Sequence, residues 1–158
     1  MAITLLAGYG CKISLSGAST TPEMKTVSVQ YFPNNAALVQ PTLSQSLTEA
    51  LKERLIAETN MSLVEQNGDL SFEGAITGYA VSPVAIQQNE TAAMNRLSVN
   101  IHVKFTNYVN EKLSFETNFM RYEDYLSTDD LSAVEDQLIK SISDQLVEDI
   151  FNKALVNW

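Results

Sequence analysis

Residues 96–106, RLSVNIHVKFT, constrain the fold of this chain more than any other stretch. Leu97, Val99, Ile101, Val103 and Phe105 alternate strictly with Arg96, Ser98, Asn100, His102, Lys104 and Thr106. Period two over this length means a strand with one face buried and the other wet. A one-residue slip of register would bury two cations and a histidine, so the pairing is strongly specified. The strand belongs at the centre of a sheet whose polar face is free to meet something.

The remaining elements follow from the same patterns. Residues 25–32 alternate Val27, Val29 and Tyr31 against Thr26, Ser28 and Gln30, and Pro33 with Asn34-Asn35 stops them. Thr42 and Gln45 make a capping-box start, and Leu43, Leu47, Ala50, Leu51 and Leu55 stripe one side of a helix ending near Thr59. Residues 61–66 form a short strand with Asn67-Gly68-Asp69 as its turn. Residues 70–81 form another strand. Gly74 and Gly78 stand on its core side, leaving room for a packed helix. Pro83 makes residues 82–95 a long excursion before the central strand, and residues 107–112 turn that strand back into 113–122.

The C-terminal third is helical. Asp129 and Asp130 supply the N-cap, and Leu131, Val134, Leu138, Ile142, Leu146 and Ile150 follow in steps of three and four, widened by Ile139 and Phe151. Two one-sided helices need an apolar surface to cover, and the sheet offers one. The predicted fold is α+β, a two-layer sandwich with two helices on one face of a roughly four-stranded, mostly antiparallel sheet. Phe105, Phe115, Leu51, Leu55, Leu138, Ile142 and Leu146 are expected to be buried together between the layers.

Composition narrows the function. The 158 residues carry 10 Lys plus Arg against 19 Asp plus Glu, a net charge of −9, which argues against binding nucleic-acid backbones. One cysteine and one histidine exclude internal disulfides, zinc fingers and HExxH centres. His102 lies in a regular strand without a nucleophile elbow, so it reads as a surface histidine. Helix capping accounts for Asp129-Asp130 better than a cation does, since no EF-hand spacing is present. No enzyme and no cofactor is expected.

Residues 1–11, MAITLLAGYGC, are small and apolar and end in the single Cys11. They read as a truncated or atypical lipoprotein signal ending at an acylated cysteine. Residues 12–24 are an irregular lead-in, and 25–158 are one domain.

Three runs, TVSVQYFPNNAALVQPTLSQSLTEALKERL, DLSFEGAITGYAVSPVAIQQNETAAMNRLSV and QLVEDIFNKALVNW, resemble the LPS-assembly lipoprotein family LptE over about residues 16–158. The resemblance implies an outer-membrane lipoprotein on the periplasmic side, anchored through Cys11. It implies two helices on a four-stranded sheet that plug the lumen of the LptD β-barrel translocon, assist its assembly and serve lipopolysaccharide delivery to the cell surface. Family members have been linked to lipopolysaccharide through basic residues near the loop between central strands. Here residues 82–95 contain neither Lys nor Arg. Arg96, Lys104 and Arg121 are the cations left to meet a barrel carboxylate or a lipopolysaccharide phosphate, with Asn100 and His102 beside them. At net −9 the plug and assembly role ranks above lipid binding. The alternative is an independent periplasmic ligand-binding domain with its pocket between sheet and helices.

Overall fold

The computed structural model describes residues 24–84 and 93–156. Their order is β1 (Thr26–Val29), α1 (Pro41–Glu58), β2 (Ser62–Val64), β3 (Leu70–Val84), β4 (Met94–Asn107), β5 (Phe115–Leu126) and α2 (Leu131–Phe151). One sheet runs β2-β1-β3-β4-β5, and both helices pack on one of its faces. The fold is the expected α+β sandwich. The sheet has a fifth, three-residue strand, and β1 pairs parallel with both β2 and β3, while β3, β4 and β5 are antiparallel.

The layer between sheet and helices is filled. Leu97, Val99, Ile101 and Val103 of β4 are fully inaccessible, as are Leu43, Leu47, Leu51 and Leu55 of α1 and Ile142, Leu146 and Ile150 of α2. Phe72 and Phe105 pack at 4.8 Å between centroids, and Phe105 and Phe115 at 5.2 Å. Of the expected core, Phe115 and Leu138 are only half-buried: Phe115 opens the edge strand β5, and in α2 Ile139 takes the inward position beside Leu138.

Four local expectations are corrected. First, α1 begins with Pro41, whose fixed φ suits the first helical position, and Gln40 is the cap, its side chain accepting from the Thr42 amide at 3.3 Å. Second, residues 67–69 are no hairpin turn. The chain passes from β2 across β1 to β3, and a Cβ on Gly68 would fall 2.6 Å from the Ser28 nitrogen. Asp69 then accepts from the Lys25 and Thr26 amides and the Thr26 hydroxyl, each at 2.9 Å, and clips β1 to β3.

Third, a bulge between Ile76 and Gly78 inserts one residue into β3 and exchanges its faces. Gly74 remains on the core side, where it admits the Phe32 ring rather than a helix. Gly78 turns to the polar side, and a Cβ there would lie 2.7 Å from the Asn100 side-chain nitrogen. Fourth, the excursion is shorter than expected, since Ser82, Pro83 and Val84 still pair with Arg96, Asn95 and Met94. The Asp130 cap of α2 is as expected, accepting from the Ser132 amide at 3.1 Å.

Candidate partner interface on the uncovered sheet face

Helices cover one face of the sheet and leave the other open. The period of β4 sends Arg96, Ser98, Asn100, His102 and Lys104 to the open side, as the sequence requires. Pairing with β5 sets Asp124, Tyr122, Met120, Asn118 and Glu116 opposite them in that order. On the β3 side the partners are Ser82, Ala80, Gly78, Ala75 and Glu73. One flank of β4 therefore carries large side chains and the other mostly small ones. Thr77, Asn100, His102 and Asn118 line a shallow depression of about 430 Å³ at the bulge.

Each cation of the strip is already answered. Arg96 grips Asp124 with two hydrogen bonds, Nε to Oδ1 at 2.7 Å and Nη2 to Oδ2 at 2.8 Å, and lies 3.6 Å above the Tyr122 ring. The guanidinium holds the Asp124 carboxyl below the usual carboxylate range. His102 reaches the Asn118 carbonyl oxygen through Nδ1 and Glu116 through Nε2, both at 2.9 Å. Two acceptors suit an imidazolium, which donates from both nitrogens, so these bonds raise the His102 pKa. Lys104 stands 3.8 Å from Glu73.

Exposed pairs of this kind contribute little to stability. Their consequence is chemical: the strip offers alternating donors and acceptors with little net charge. Asp124 takes up Nε and Nη2 of Arg96 and neutralises its charge, which leaves Nη1 as the donor that could meet another acceptor.

Arg121 does not join the strip. It points to the helix side, where Asp149 of α2 accepts from its Nε and Nη2, both at 2.6 Å. Cys11 and residues 85–92 of the connecting loop lie outside the described residues. The carboxylates Glu73 and Asp124 were missed from sequence. Folding β5 back on β4 about residues 107–113 puts Asp124 beside Arg96, so that signal was readable. The Glu73 partner was not, because no local turn sets the register of β3 past its bulge.

The comparisons with known proteins agree with this architecture. A minor lipoprotein from Acinetobacter baumannii is similar at a TM-score of 0.52 and 15% identity, over 82% of this chain and 91% of that one. Lipoprotein B from Nitrosomonas europaea is similar at 0.51 and 14%, over 90% and 88%. A hypothetical protein from Chlamydia trachomatis gives 0.55 and 8%, over 84% and 99%. At these identities the likeness is one of fold alone. No curated protein matches the chain. The lipopolysaccharide-assembly family LptE matches residues 24–154, which takes in every strand and both helices. The chain belongs to the LptE lipopolysaccharide-assembly family.

Proposed function

We propose that this chain is a non-enzymatic outer-membrane lipoprotein, anchored through Cys11 on the periplasmic side. In this reading it plugs an LptD-type β-barrel translocon and helps assemble it for lipopolysaccharide transport to the cell surface. The observation that carries the reading is the uncovered polar strip along β4, with Arg96, His102 and Lys104 each set against an acidic side chain. The lumen of a membrane barrel is polar and wet, and a self-neutralised lattice of donors and acceptors suits such a wall. It suits a polyanionic glycolipid less, because a carboxylate beside each cation offsets its charge. A filled interior gives no support to the alternative of a ligand pocket between sheet and helices.

The test is Arg96→Glu with Lys104→Glu, scored by recovery of the barrel complex from detergent-solubilised outer membrane and, separately, by lipopolysaccharide binding. Both side chains stand at the surface, so the fold survives the change. The expected result is loss of most of the complex. Normal recovery with lost lipopolysaccharide binding would reverse the ranking, and two unchanged readouts would leave the strip a merely solvated face.

A further inference from the structure

Strand β3 is fifteen residues long, but its outer edge is covered for less than half of that length. β1 pairs with Leu70, Ser71 and Phe72. Beyond β1 the chain keeps to the same edge. The Gln30 amide donates to the Phe72 carbonyl at 2.9 Å, the Ile76 amide to Pro33 at 2.9 Å, and the Asn35 amide to Ile76 at 2.8 Å. It leaves at Ala36 towards α1. Among the described residues no backbone group pairs with the outer edge of residues 77–84.

The direction of the free groups follows from the two-residue period. Phe72 and Ile76, on the helix face, aim their backbone groups outward. After the bulge the helix face is held by Tyr79, Val81 and Pro83, paired with Val99, Leu97 and Asn95. Their amides and carbonyls therefore face outward, while Gly78, Ala80 and Ser82 bond to β4. Pro83 fits this assignment, since its missing N–H costs β4 nothing. The edge thus presents two donors, Tyr79 and Val81, and the carbonyls of all three residues.

Edge strands are guarded by charge, by proline or by a bulge. Here the bulge at Ile76–Gly78 and Pro83 bound the free stretch, and residues 77–84 contain no charge, although the chain carries 29 charged Asp, Glu, Lys and Arg residues. Val81 is 39% exposed on one side of this edge. On the other side Gly78, Ala80 and Ser82 are small and would not obstruct a neighbour, with Thr77 and Val84 at the two ends.

We propose that the outer edge of β3 at Tyr79–Val81–Pro83 takes up one uncharged, extended segment of the barrel partner as an added strand. The matching segment carries aliphatic side chains on the face it shares with Val81 and is unrestricted in size on the face opposite Ala80. Absence of charge is the complementarity here: a charged strand would find no counter-ion along this edge. The inference rests on the barrel reading.

The experiment compares Val81→Pro with Val81→Thr in the full chain, co-expressed with the barrel protein. The proline removes one outward amide and leaves the bonds to β4 in place, whereas threonine keeps the amide. Thermal melting of the free chain checks the fold of each variant. Amide hydrogen exchange of Tyr79 and Val81 is read in the free chain and in the complex. The expected result is fast exchange when free, protection when bound, and recovery of complex reduced about fivefold by Val81→Pro alone, the worth of one backbone hydrogen bond. A wild-type complex whose Tyr79 and Val81 amides exchange as fast as in the free chain, with Val81→Pro recovered normally, overturns the added strand and leaves the barrel reading standing. Absence of any wild-type complex overturns both.

Discussion

Asp69 shows how much one side chain can decide. Its carboxylate accepts three hydrogen bonds from Lys25 and Thr26, more than forty residues earlier, and those donors hold its pKa below the ordinary value. A depressed carboxyl pKa adds stability that is complete above about pH 4, the unfolded value, and disappears as pH falls through the folded one. Asp69→Ala is expected to cost about 1–3 kcal/mol in urea unfolding at pH 7, with a smaller penalty in strong acid. His102 runs the other way. The Asn118 and Glu116 oxygens raise its pKa, so its contribution is complete below about pH 6.5 and lost as pH rises through the folded value. NMR titration should find His102 above its free value, and Glu116→Gln should lower it. No movement on that substitution would mean that the cross-strand pair does not form in solution.

At the scale of elements, the two helices differ along their lengths in what they contribute. Ile142 sits in the middle of α2 with no exposure, whereas Leu138, one turn earlier, is only half-buried. Ile142→Ala should therefore cost about 2–5 kcal/mol through lost burial and a residual cavity. Leu138→Ala should cost less than half of that, measured by equilibrium denaturation. Equal costs would show that the first turns of α2 are packed as deeply as the middle. That N-terminal end is held by polar contacts instead: Glu135 accepts from the Tyr79 hydroxyl of β3 and, at 2.7 Å, from the Gln40 side chain that caps α1. One carboxylate so joins the sheet and both helices, and burial with the carboxylate beside it raises the Tyr79 pKa and keeps the phenol protonated.

On the scale of the whole molecule, one face of the sheet is spent on the core and the other is left uncovered. Its cation pairs are weak in water, and a partner can exchange them without disturbing the fold. The lipoprotein reading adds an expectation at the other end of the chain. Mass spectrometry of protein extracted from membranes should find Cys11 acylated as the first residue, with residues 1–10 removed. A free thiol behind an intact residues 1–10 would defeat the anchor.

What the sequence determined by itself was everything set by neighbours in the chain. The strict alternation of 97–105 dictated which face of β4 is wet, and the stripes of Leu43–Leu55 and Ile142–Ile150 dictated two one-sided helices. A two-layer sandwich follows, because no other arrangement buries all three surfaces. Tertiary structure alone decided the strand order β2-β1-β3, the bulge that exchanged Gly78 and Tyr79 between faces, and the capture of Arg121 by Asp149. Periodicity is local and survives in any register. Strand order, a bulge and an ion pair depend on groups such as Asp69 and Thr26, which meet only when the packed core brings distant segments together.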